Sequence, residues 1–287
     1  MARLSRKLYY ARRRLTHRLL RESDRINRRL WVNNPLTAAP LATPERYAEI
    51  HARALDNSYP DVDALEKQLG FALDRQFMND LALHTQVVIK SSPMMWAHGR
   101  ILYAVLRDYL DRFPPASKRE RITILETGTA RGYSAICMAK ALYDAERPGV
   151  IMTTDIVPHD TPIYWNCIDD HEGKKTRRDL LAPWQELVDN YIIFCWGDSQ
   201  LTLQTIAMSR INFAFLDGAH SYADVIEEFD RVGPYQKAGD IIVYDDVTPS
   251  AFPGIAKAVA EICDTHGYSR QDIQTHDNRI HAICRKL

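Results

Sequence analysis

Five short apolar runs, each closed by a polar or acidic residue, constrain this 287-residue chain more than any other feature. They are Ile122–Leu125, Val150–Val157, Tyr191–Trp196, Ile211–Leu216 and Ile241–Tyr244. Between them lie stretches of helical period, among them Tyr133–Tyr143, Tyr222–Phe229 and Gly254–Cys263. Strands that alternate with helices predict βαβ units, hence an α/β fold with a doubly wound, mostly parallel sheet. Arg279–Arg285 alternates in polarity and reads as an edge strand. Ligands of such sheets sit beyond the C-terminal ends of the strands. The residues that close the runs are therefore the site candidates: Glu126-Thr127-Gly128, Asp155, Gly197-Asp198-Ser199, Asp217-Gly218-Ala219-His220 and Asp245-Asp246.

The segments before the sheet differ in kind. Residues 1–30 hold eleven Lys or Arg against Glu22 and Asp24, while the rest of the chain carries 26 basic against 35 acidic side chains. An acidic body with a basic arm is not the pattern of a whole-surface nucleic-acid binder, and no nucleic acid is expected as a partner. Leu4, Leu8, Leu15, Leu19, Ile26 and Leu30 recur on one narrow face, so 1–31 reads as a basic amphipathic helix. Such a helix suits the surface of an anionic membrane; docking on a partner subunit is the alternative. Pro35, Pro40 and Pro44 make 32–45 a linker, and 46–115 has helical period up to Pro114 and Pro115. Residues 116–287 then form the sheet domain. The five cysteines, Cys137, Cys167, Cys195, Cys263 and Cys284, are odd in number and form no CxxC pair. A zinc site or disulfide framework is not expected, and a reducing cytoplasm is the simplest compartment.

The first run leads into Glu126-Thr127-Gly128-Thr129-Ala130-Arg131-Gly132-Tyr133-Ser134. Gly128 and Gly132 let the backbone turn tightly and approach a ligand, and Ser134 falls in the first helical turn, where free N–H groups favour negative charge. The loop lacks the third close glycine of a dinucleotide-binding loop, which favours a ligand without a pyrophosphate; an ordinary strand–helix turn is the plainer alternative. A carboxylate at Asp155 can accept ribose hydroxyls or cap a helix. Asp198 is placed for an adenine edge, with Ser199 beside it. Asp217, Asp245 and Asp246 would repel one another on one edge unless a cation neutralises them, and oxygen ligands suit Mg2+ or Mn2+. Loop caps and a solvated Asp246 are the other reading. The insert 158–186 has the length of a lid or binding loop, with Asp169–Glu172 read as a solvated turn. Gln86–Trp96, with His98, is either a segment over the ligand or plain helix packing.

The Glu126–Ser134 loop resembles motif I of class I S-adenosylmethionine-dependent methyltransferases, in the ExGxxxGxS form of the cephalosporin-hydroxylase-like and macrolide-sugar O-methyltransferase group. The likeness spans about residues 80–287. It implies a Rossmann-like, seven-stranded sheet with an N-terminal helical extension. It also implies S-adenosylmethionine as cofactor, with Glu126, Thr127, Gly128, Thr129, Gly132, Tyr133, Ser134 and Asp217 around it. Asp155 would meet the ribose, and Asp198 and Ser199 the adenine. Metal-dependent sugar and catechol O-methyltransferases carry an Asp after strand four and an acidic pair after strand five; Asp217, Asp245 and Asp246 are similar, which implies Mg2+ or Mn2+ there. Macrolide-sugar enzymes also look similar in a histidine three residues past the first Asp, here His220, which would act with Asp217 in catalysis. The resulting expectation is O-methyl transfer to a hydroxyl of a glycoside, a lipid-linked sugar or another polyol-bearing small molecule, with self-association left open. Two alternatives stand beside it: a nicotinamide-dependent oxidoreductase, and a cofactor-binding protein without turnover.

Overall fold

The computed structural model describes residues 11–12, 14–16, 18–19, 21–22, 25–26, 38–113, 120–206, 208–218, 220–275 and 278–287. The described positions between 11 and 26 are helical. The remainder of the expected arm and residues 32–37 of the linker lie outside the described residues.

Four helices precede the sheet: α1 (Pro44–Ala54), α2 (Pro60–Leu69), α3 (Arg75–Thr85) and α4 (His98–Arg112). Their starts follow from local chemistry. Thr43 accepts a hydrogen bond from the Arg46 amide and Pro44 opens α1; Pro60 opens α2; Asp74 accepts from the Phe77 amide at the head of α3. A proline in the first turn loses no hydrogen bond there, and a side-chain cap contributes about 1 kcal/mol.

The sheet domain continues with β1 (Ile122–Thr127), α5 (Tyr133–Asp144), β2 (Gly149–Asp155), α6 (Arg177–Leu180), α7 (Gln185–Tyr191), β3 (Ile192–Trp196), α8 (Ser199–Leu203), β4 (Phe213–Leu216), α9 (Tyr222–Val232), β5 (Ile241–Tyr244), α10 (Pro253–His266), β6 (Tyr268–Gln274) and β7 (Ile280–Lys286). The seven strands lie in the order β3-β2-β1-β4-β5-β7-β6. The first five are parallel, and β7 runs antiparallel to both β5 and β6. This is the Rossmann-like methyltransferase arrangement. One expectation is corrected: the tail strand is not the edge. β7 is inserted between β5 and β6, and β6, with only Tyr268 and Ile273 buried, is the edge. Its sequence YSRQDIQ is too polar to announce a strand.

Alternation along the strands divides the core. Phe213, Phe215, Ile241 and Val243 face the layer of α1 to α5 and α7; Ala214, Leu216, Ile242 and Tyr244 face α9 and α10. Successive side chains point to opposite faces of a strand, and both faces are covered, as a parallel sheet requires. The helices before the sheet share its core: Tyr47, Val62 and Leu81 belong to the same buried cluster as Ile124 and Phe213. Tyr109 fixes α4 to the far end of the sheet, donating to Asp240 at 2.8 Å and accepting from Asn212 at 2.9 Å. With that end anchored, the C-terminal ends of the strands are held as a rigid rim.

Candidate functional site

Behind β1 the chain makes a contact that only glycine permits. Gly128 has φ +85°, and a Cβ there would stand 2.2 Å from the Asp217 carbonyl oxygen. Its amide donates to Thr154 at 2.9 Å. The loop after β1 is thus pressed between the ends of β2 and β4. Gly132, at φ +94°, heads α5 against Leu181. Ala130 is also left-handed, at φ +46°, and Asp155 holds it there: the carboxylate accepts from the Ala130 amide at 2.5 Å and from the Val157 amide at 2.7 Å. Arg177, 1% exposed and 3.6 Å from Asp155, donates to the carbonyls of Ala130 (2.8 Å) and Val157 (3.2 Å). The insert 158–186 is therefore packed beneath the loop through Arg177. Within it Asp169 pairs with His84 and Lys175, and Asp170 accepts from Trp165 and Cys167. Both are buried, so the expected solvated turn is corrected.

A cleft of about 270 Å3 opens over these residues, lined by Gly128, Asp155, Ile156, Asp198, Ser199 and Gly218 among others. Gly128, Asp155, Asp198 and Ser199 thus meet as expected. Asp198 also caps α8 through the Gln200 amide (2.9 Å), and Ser199 donates to Glu228 at 3.0 Å. Glu126, Thr127, Thr129 and Ser134 lie beneath the cleft as buried supports. Glu126 accepts from Thr153, and its Oε1 has no partner among the described residues. Burial pushes its carboxyl up to about 7, against the opposing hydrogen bonds of Ser134 and Thr153. Tyr133 points away: it is 1% exposed, donates to the Trp96 carbonyl at 2.7 Å and packs on His98. Its expected place at a cofactor is corrected to a link between α5 and the helical layer. The cleft and the glycine contact at its mouth fit an adenosyl group carried without a pyrophosphate.

Next to the cleft, at the ends of β4 and β5, Asp217, His220 and Asp246 each bring one ligand-capable atom within 4.8 Å of the others. His220 Nε2 is 3.2 Å from Asp246 Oδ2, and its ring packs at a tilt against Phe252. Asp245 is not in this group, which corrects the expected carboxylate trio. It accepts from Arg279 at 3.0 Å and faces His281 Nε2 at 2.9 Å. The cause is the backbone: Asp246 adopts φ +55°, so the two neighbours diverge. Arg279 also stands 2.6 Å from Asp246 Oδ1. Sequence reasoning missed Arg279 and His281, because their strand was not placed beside β5.

The charges follow from these contacts. Asp217 is partly exposed by area, but protein surrounds its carboxyl; burial, then the like charges of Asp245 and Asp246, hold it well above the carboxylate range. Burial alone would raise Asp245 too, but His281 and Arg279 pull it down. The hydrogen bond to Asp246 raises His220. A carboxyl raised by burial and by two neighbouring carboxylates marks a place where a cation would be favoured. Mg2+ commonly takes one or two carboxylates and fills its remaining positions with water and substrate oxygen. Asp217 and Asp246 fit that need; Asp245 does not.

Against known proteins, residues 125–247 match a family model described as a methyltransferase domain. The matched segment is similar to a methyltransferase domain, and the seven-stranded order is the Rossmann-like fold of class I methyltransferases. More particularly, the chain is similar to the O-methyltransferase NovP, at 18% identity and TM-score 0.50, over 66% of this chain and 80% of that one. It is also similar to the O-methyltransferase TomG of Streptomyces achromogenes, solved with S-adenosylmethionine, at 17% identity and TM-score 0.50, over 75% and 92%. At this identity the likeness establishes the shared fold. No curated protein matches the sequence significantly.

Proposed function

We propose that the chain transfers a methyl group from S-adenosylmethionine to a hydroxyl of a sugar or other polyol-bearing small molecule, with Mg2+ or Mn2+ held by Asp217 and Asp246. The observation that carries this reading is the His220–Asp246 pair beside Asp217, next to the cleft that fits the cofactor. A sulfonium methyl is already activated, so the site must supply an aligned, deprotonated oxygen. When bound, the divalent cation lowers the pKa of an oxygen ligand by several units. His220 takes the acceptor proton on Nδ1, because Nε2 faces Asp246. Asp246 orients the ring and stabilises the imidazolium that forms, while Arg279 fixes the other Asp246 oxygen. The methyltransferase-domain match and the missing third glycine weigh against nicotinamide chemistry.

The test is a Mn2+ titration of the full chain holding S-adenosylhomocysteine, paired with methyl transfer to a panel of glycosides in EDTA. Mn2+ should bind at one site that Asp217→Asn and Asp246→Asn each remove, leaving S-adenosylhomocysteine affinity nearly unchanged. Chelation should abolish transfer and Mg2+ restore it. Full transfer in EDTA would exclude the metal and leave His220 acting alone. Cofactor binding with transfer to none of the panel would favour the binding-protein alternative.

We also propose that residues 1–31 attach the protein to an anionic membrane surface. Leu15, Leu19 and Ile26 are 59%, 62% and 53% exposed, so the folded body leaves that apolar stripe uncovered. The arginines around it match anionic headgroups.

A further inference from the structure

Beside the Asp217–His220–Asp246 group lies a second cavity of about 430 Å3, within the size range of small-molecule sites. Asp246 belongs to both. Met95, from the segment before α4, forms one wall. Phe252, against which His220 packs, forms the other. A small molecule seated between them can therefore bring a hydroxyl to His220 and Asp246.

The polar groups of this cavity are unequal. Arg279 is committed to Asp245 and Asp246. The Thr248 hydroxyl accepts from the Ile280 amide at 3.1 Å. Lys90 is different. It lines the mouth of the cavity and has no hydrogen-bond or ion-pair partner among the described residues. Desolvation, then the like charges of Arg279 and Arg131, hold its ammonium below the ordinary lysine range. Asp245 and Asp246 act on Lys90 only at a distance, and both are paired with Arg279. Lys90 is exposed to solvent at the cavity and is free to pair with an anion that enters it.

We propose that Lys90 receives an anionic group, a carboxylate or phosphate, on the acceptor whose hydroxyl reaches His220. This rests on the methyl-transfer reading and narrows its substrate class. The acceptor then carries three features: a negative group at the mouth, an apolar or ring body between Met95 and Phe252, and a hydroxyl at the floor. A uronic acid and a sugar phosphate, free or lipid-linked, share this chemistry.

The test uses glucuronate, glucose 1-phosphate and uncharged methyl glucoside as probes in calorimetry on the full chain, with and without S-adenosylhomocysteine. At least one anion should bind tenfold or more tighter than methyl glucoside. Lys90→Met should abolish that preference and Lys90→Arg should keep it. Lys237→Met, at the opposite end of the strands, should not alter it. Vesicles bearing a lipid-linked sugar phosphate then separate the two sources: competition with glucose 1-phosphate marks a lipid headgroup as an occupant, and its absence a free one. Equal binding of charged and neutral probes, no binding of either anion, or a preference that survives in Lys90→Met overturns the inference. Loss of S-adenosylhomocysteine binding with the anion preference intact would instead sink the methyl-transfer reading.

Discussion

Three aspartates stand within a few residues of two strand ends, and their surroundings give each a different task. Asp245 faces Arg279 and His281 and stays ionised. Asp217 is buried among other acids, which hold its carboxyl well above the carboxylate range. Asp246 divides its oxygens between Arg279 and His220. If His220 is the base, His220→Ala should lower kcat by about 10^2 to 10^4 with acceptor KM little changed, since the lost interaction belongs to the transition state. Steady-state kinetics on a glycoside acceptor checks this; a kcat near that of the parent chain would return His220 to a packing role against Phe252. Asp217, His220 and Asp246 were legible because a residue just past a parallel strand faces the ligand end. Which of Asp245 and Asp246 turns toward the site was not legible, because it depends on the left-handed backbone at Asp246. Nothing in the residue types announces that turn.

The helix α9 carries a second buried acid, Glu228, 2% exposed, that the sequence did not single out. It meets Ser199 at the head of α8, and burial pushes it up to about 7 despite hydrogen bonds from Ser199 and Thr127. The folded state therefore holds a proton that the unfolded chain releases near the ordinary glutamate value. Stability falls as pH rises from about 4.5 to about 7 and is level above that, at a cost on the order of 3 kcal/mol. Glu228→Gln keeps the hydrogen bonds and removes the charge. Its melting temperature should match the parent chain near pH 4, exceed it increasingly up to about pH 7 and stay above it by a constant margin from there to pH 8. Parallel melting curves across that range would show that Glu228 ionises freely in the fold. Elements were otherwise readable in proportion to their burial. β5, Ile241–Tyr244, is fully buried and coincides with its apolar run; β6, mostly exposed, left no such mark.

At the scale of the molecule, the helices before the sheet and the sheet itself share one core, so an acidic body with a basic arm describes the chain better than a string of separate units. Among the described residues no helix is long and apolar enough to cross a membrane. The arm is expected to act at the surface instead. The full chain should pellet with phosphatidylglycerol vesicles at low salt and release as salt screens the arm, whereas a variant lacking residues 1–31 should stay in solution. If both remain in the supernatant at low salt, the arm serves a protein partner. The strand order also sets a timetable. A ribosome completes the strands bearing Asp217, Asp245 and Asp246 before it makes Arg279, and β6 cannot join the sheet until β7 exists to bridge it to β5. A nascent chain therefore carries the acids before it carries their arginine, and the chemical end of the site is complete only once that counter-charge has been translated.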